Sequence, residues 1–121
     1  MAGVALEHLQ IAMPAGGEAA ARRFFGGILG MTEVAKPKAL AGRGGLWFTL
    51  DGGVGFHLGV AADFRPATRA HAGLRLDGFD AVLARLAGAG LVAVQDRDTF
   101  GRRRVYLDDP FGNRLELIDG A

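Results

Sequence analysis

A chain of 121 residues, half of them apolar, is long enough to bury roughly two thirds of the surface its unfolded form exposes, which predicts one domain with a real core and excludes disorder. Fourteen basic against thirteen acidic side chains leave a net charge of +1, too little for an electrostatic nucleic-acid footprint. There is no cysteine, so no disulfide framework, and no stretch approaches the roughly 20 unbroken apolar residues of a membrane span.

Twenty glycines and four prolines punctuate short apolar segments, the pattern of several strands joined by tight turns. The first strand lies in residues 6–11 (LEHLQI) and contains His8. A helix is predicted over about residues 18–29, with Ala21, Phe24, Phe25, Ile28 and Leu29 at helical spacing and Gly30 as its C-terminal cap. After a short segment, Phe48, Thr49, Leu50 and Asp51 lead through a glycine turn into a strand carrying His57. Residues 63–68, with Pro66, form a join.

Beyond the join the order repeats. His71 opens an apolar run as His8 does. A second helix is predicted over about residues 79–89, with Val82, Leu83 and Leu86 as its stripe, Asp77 or Gly78 at its start and Gly90 at its end. Tyr106, Leu107, Asp108 and Asp109 then lead through a Pro110, Phe111, Gly112, Asn113 turn into a strand carrying Glu116. Both halves read strand, helix, strand, strand, strand.

Strand side chains alternate between faces, so a true repeat should keep its phase. One set is apolar and faces the helices: Leu9, Ile11 and Met13; Phe48 and Leu50; Phe56 and Leu58; Leu74 and Leu76; Val105 and Leu107; Leu115 and Leu117. The opposite set holds His8, Gln10, Trp47, His57, His71, Arg75, Arg104, Tyr106 and Glu116. All three histidines of the chain fall in it. Three neutral imidazoles and a carboxylate suit a divalent transition metal, Zn, Ni, Fe, Mn or Co, if a concave sheet brings them together.

Four stretches carry a family resemblance: residues 6–11, residues 24–30 (FFGGILG), residues 71–74 (HAGL) and, most specifically, residues 108–118 (DDPFGNRLELI). Over nearly its whole length the chain resembles the vicinal oxygen chelate superfamily, which includes glyoxalase I, extradiol dioxygenases and bleomycin-resistance proteins. That resemblance implies an α+β fold of two βαβββ modules, about residues 1–62 and 68–121, forming a curled mixed sheet around a cleft. It also implies metal ligands on the first and last strands of each module, the positions of His8, His57, His71 and Glu116.

The activity so implied is a metal-dependent lyase, isomerase or dioxygenase that chelates neighbouring oxygens of a small metabolite. Glu116 and Tyr106 are the candidate catalytic groups; Trp47, Arg75 and Arg104 are candidate substrate contacts. Each has a bland alternative. Glu116 can pair with Arg104, Arg114 or Arg75 in an ordinary salt bridge, and His57 can touch substrate rather than metal, since glyoxalase I usually carries a glutamate there. Trp47 and Tyr106 can simply fill the sheet's concave side. The other functional class is a metal-free binding or sequestering protein of the bleomycin-resistance type. The resemblance further implies a homodimer. The opening residues carry neither the basic nor the apolar segment of a secretory leader, so the expected location is the cytoplasm.

Overall fold

In the computed structural model, which describes residues 3–96 and 101–121, the chain divides into two compact units, the first running to Arg65 and the second starting at Pro66. Strands β1 (His8–Met13), β2 (Thr32–Val34), β3 (Leu46–Thr49) and β4 (Gly55–Val60) form the sheet of unit 1, in the order β1-β4-β3-β2. Strands β5 (Ala72–Leu76), β6 (Val94–Gln95), β7 (Arg104–Asp108) and β8 (Arg114–Asp119) repeat that order in unit 2 as β5-β8-β7-β6. Both sheets are mixed: β1 runs parallel to β4 and β5 to β8, and the remaining pairs are antiparallel. The fold is therefore α+β, built from two like modules. Among the described residues, no helix is long and apolar enough to cross a membrane.

Strand alternation fills the cores as the pattern predicts. Met13, Phe48, Phe56 and Leu58 in unit 1, and Leu74, Val105, Leu107, Leu115 and Leu117 in unit 2, are all buried. Helix α2 (Phe79–Gly88) adds Phe79, Val82 and Leu86 to the second core. Gly78 at its N-cap and Gly90 beyond its end both hold positive φ, a conformation that glycine adopts without steric cost.

The first helix departs from its predicted regularity. Helix α1 (Glu18–Ala21) is a single α-turn that widens into a π-helical stretch over Arg22–Ile28. The Leu29 N–H there reaches back five residues to the Phe24 carbonyl, at 3.0 Å. A wider turn brings successive side chains closer in direction. Phe24 and Phe25 consequently both point inward, perpendicular to each other with centroids 4.9 Å apart. Phe25 also packs on Phe48 and Phe56. Period-3.6 counting finds the apolar stripe but not this extra residue per turn.

The turn before β8 is held from inside. Asp109 is buried, and its carboxylate accepts the N–H groups of Phe111 and Asn113 and the Asn113 side-chain amide, all within 2.9 Å. Asn113 in turn accepts the Ala67 N–H at 2.9 Å, and the Arg114 N–H donates to the Ala67 carbonyl. Burial pushes the Asp109 carboxyl above its ordinary range, against the lowering effect of those donors. The turn residues thus do more than reverse the chain: they fasten the start of β8, and with it Glu116, to the first residues of unit 2.

Candidate functional site

In unit 1, register sets the site face. His57 on β4 lies between Gln10 of β1 and Trp47 of β3, while His8 lies opposite Gly55. Trp47 and His57 stack with centroids 3.9 Å apart and planes 1° from parallel; His8 stacks on the other side of His57 at 4.8 Å and 16°. Gly55 makes room for this. A Cβ there would stand 2.7 Å from His57 Nε2 and 3.0 Å from the His8 Cβ, so a side chain at this position would displace the ring. The Nδ1–H of His8 donates to the Glu7 carboxylate, and Gln10 lies over Gly59. Next to the stack is a cleft of about 570 Å³, lined by Glu7, His8, Trp47, Thr49, Gly55 and His57 among others.

This arrangement bears on metal binding. Lone pairs of an imidazole lie in the ring plane, so those of two nearly parallel rings run side by side and do not converge on one ion. His57, moreover, has both ring faces covered and its Nε2 against Gly55. As arranged, His8 and His57 are not a pair of ligands to a common ion.

Burial lowers the His57 pKa from its ordinary 6.5, and neighbouring His8 lowers it further. The folded protein therefore binds this proton less readily than the unfolded chain does. His57 contributes stability that is present above pH 6.5 and is lost as pH falls through the folded-state value. Urea unfolding as a function of pH should show that loss, and a His57→Phe variant, which keeps a stacking ring, should show a shallower one. An equal slope in the two proteins would contradict the assignment.

Unit 2 builds a different face on the same plan. Glu116 on β8 lies between Gly73 of β5 and Tyr106 of β7. His71 sits just before β5 and brings Nε2 to 3.0 Å from Glu116 Oε1. Arg104 forms an ion pair with the other carboxylate oxygen, which is the salt-bridge alternative expected for Glu116. Tyr106 stands directly across from Glu116 in the β7–β8 register. Its ring stands edge-on to His71, with centroids 5.8 Å apart, and carries the Arg114 guanidinium over its face at 4.3 Å. Arg75 is exposed on the same face, across Ile118 from Arg104. Burial alone would raise the Glu116 pKa, but the bonds from His71 and Arg104 outweigh it and hold the carboxyl below its usual range. Burial and the adjoining Glu116 charge raise the Tyr106 phenol.

The His71–Glu116 pair fits a cation. Two ligand atoms each about 2.1 Å from one ion at right angles are themselves about 3 Å apart, and the observed separation is 3.0 Å. His71 Nδ1–H donates to the Arg69 carbonyl at 2.9 Å, leaving the lone pair on Nε2, a bond of the kind that orients metal-binding imidazoles. A lone pair facing a carboxylate oxygen at this distance calls for a shared cation, either a proton or a metal ion. Within neither unit, among the described residues, do three or more His, Asp or Glu side chains form a group able to hold a metal ion.

Register brought out what strand phase could not: the three-ring stack, the cation over Tyr106 and the close approach of the His57 ring to Gly55. A glycine at the strand position two before His57 was the available clue.

The chain matches a glyoxalase-like domain over residues 10–118. Among solved structures, it is 36% identical to a Bacillus anthracis protein assigned to the glyoxalase family, over 100% of this chain and 98% of that one, with a TM-score of 0.91. A glyoxalase/dioxygenase from Nostoc punctiforme is 21% identical, over 95% of this chain and 90% of that one, with a TM-score of 0.77. A lactoylglutathione lyase from Agrobacterium tumefaciens is 18% identical, over 98% and 95%, with a TM-score of 0.73. These last two share the fold. No curated protein matches the chain. The family match over nearly the whole length, with a close structural likeness of the same family, makes this chain a member of the glyoxalase-like domain family.

Proposed function

We propose that this protein is a metal-dependent enzyme of the lyase, isomerase or dioxygenase type that handles a small metabolite through two neighbouring oxygens. The observation that carries the reading is the 3.0 Å approach of His71 Nε2 to Glu116 Oε1, with Nδ1 tied to the Arg69 carbonyl. His71 and Glu116 are the proposed ligands, and His57 is assigned to the stack rather than to the ion. A divalent ion bound there supplies Lewis-acid stabilisation of negative charge developing on a substrate oxygen.

The protein's own groups divide the remaining work. Arg104 fixes the carboxylate of Glu116 and keeps it ionised, which suits a ligand and opposes its use as a proton shuttle. Tyr106, with its raised pKa, keeps its proton at neutral pH and is the proposed hydrogen-bond donor to substrate. Arg75 and Arg104 are the proposed substrate contacts of unit 2, and Trp47 is the candidate contact of unit 1.

One observation favours the alternative of a metal-free binding protein of the bleomycin-resistance type: Arg104 already balances the charge of Glu116. Thermal unfolding separates the two. Tag-free protein should gain stability with added Ni or Zn, lose it with chelator, and lose the response entirely in His71→Ala, since a ligand that binds only the folded state stabilises it. Acid should weaken the response, because imidazole ligands bind only when deprotonated. A chelator-indifferent melting temperature with no metal response would establish the metal-free reading.

A further inference from the structure

The unit 2 face has an open floor on β5. Gly73 and Arg75 are both exposed there, and strand alternation turns them to the same side as Glu116. Gly73 stands directly across from Glu116, and among the described residues a Cβ built on it would meet only the tip of Ile118, at 3.7 Å. Along the chain His71 lies two residues before this gap and Arg75 two residues after it. The His71–Glu116 pair therefore borders one end of the floor, and Arg75, with Ile118 across from it, borders the other. Unit 1 has neither feature at the equivalent positions. Trp47 pairs with His57 as Tyr106 pairs with Glu116, which makes Gln10 the counterpart of Gly73 and Ala12 the counterpart of Arg75. Gln10 lays a side chain over Gly59 where unit 2 leaves space, and Ala12 carries no charge.

Charge decides what such a floor receives. Arg104 is paired with Glu116, and Arg114 lies over the Tyr106 ring. Arg75 is left with no ion pair, hydrogen bond or ring contact among the described residues. A guanidinium so placed presents parallel N–H donors that match the two oxygens of a carboxylate. With Glu116 already balanced by Arg104, an anion lying over Gly73 meets the uncommitted positive charge of Arg75.

We infer that the unit 2 face takes a small molecule that carries a carboxylate besides its two neighbouring oxygens. The oxygens lie at His71 and Glu116, the body of the molecule lies over Gly73, and the carboxylate pairs with Arg75. This rests on the proposed handling of two neighbouring oxygens at that site and adds the charge class of the substrate. Two residues of strand separate Gly73 from Arg75, about 6–7 Å, so the carboxylate is a group distinct from the pair of oxygens.

Comenate and kojic acid are suitable probes. Both present a hydroxyl and an oxo group side by side on a pyranone ring; across the ring comenate carries a carboxylate and kojic acid a neutral hydroxymethyl group. Each is titrated calorimetrically into the intact protein, once zinc-loaded and freed of excess metal, and once chelator-treated. Comenate should bind about tenfold more tightly than kojic acid. Arg75→Gln, a surface substitution that leaves the core untouched, should weaken comenate alone and bring the two affinities together. Gly73→Val should weaken both probes by filling the floor, and the strand accepts it, since the nearest atom stands at ordinary contact distance. Equal affinity for the two probes, a preference for comenate that survives Arg75→Gln, unchanged binding in Gly73→Val, or no saturable binding of either probe would overturn the inference. The zinc arm reads the metal proposal separately: tighter binding of both probes with zinc supports it, whereas a preference for comenate with no effect of zinc overturns that proposal and leaves this inference standing.

Discussion

Glu116→Ala is expected to lower unfolding stability by about 3 kcal/mol, read as a shift in urea midpoint at unchanged slope. The reason is what the substitution leaves behind. Glu116 is buried on the sheet with Arg104 on one oxygen and His71 on the other. Removing the carboxylate takes the ion-pair partner from a guanidinium that is itself largely shielded, with 15% of its side chain exposed. Loss of the carboxylate beside a poorly solvated charge costs more than a lost surface salt bridge, for which a change near zero would be normal. The effect should depend on pH in one direction. Glu116 has its pKa depressed in the folded state, so its contribution is present above the ordinary value of 4.5 and is lost as pH falls through the folded value. The difference between wild type and variant should therefore shrink in acid. A stability change near zero at neutral pH would mean that the Arg104–Glu116 pair is merely a surface contact.

Phe25→Ala should cost more, about 4 kcal/mol, because it removes a fully buried ring from the centre of the unit 1 core. Phe25 packs against Phe24, Phe48 and Phe56, with centroids between 4.9 and 6.1 Å. These rings come from the π-helical stretch, β3 and β4, so no single neighbour can move to fill the space. A protein of this size has roughly 5–15 kcal/mol of stability in all, and the variant should be only marginally folded at physiological temperature. Phe25→Leu, which retains most of the apolar volume, should recover more than half of the loss. An alanine variant that melts within a few degrees of the wild type would show that the widened turn does not seat Phe25 in the core.

Much of this was legible before any coordinates. Alternation along the strands identified both faces, because burial enforces a period of two and a one-residue slip would expose every core residue. The repeat identified His71 and Glu116 as equivalents of His8 and His57, and the structure pairs each couple on its own sheet. What alternation does not fix is how a ring stands once its face is chosen. His57 shares the polar face with His8, yet Trp47 on the neighbouring strand and the bare backbone at Gly55 turn it into the middle of a stack. The π-helical widening escaped for a similar reason: Gly26 and Gly27 weaken the helix locally, and the inward pull of two adjacent phenylalanines decides its course. Asp109 read as part of a turn. Its burial depends on donors from Phe111 and Asn113 that only the folded loop assembles.

The proposed metal-dependent function requires His71 and Glu116 to share a divalent ion, and calorimetric titration of Ni or Zn into tag-free, chelator-treated protein measures that directly. The prediction is one ion per site, bound by the wild type, lost in His71→Ala, and retained in His57→Phe. Wild-type protein that takes up no ion, or a His71→Ala variant that binds as tightly as the wild type, would contradict it.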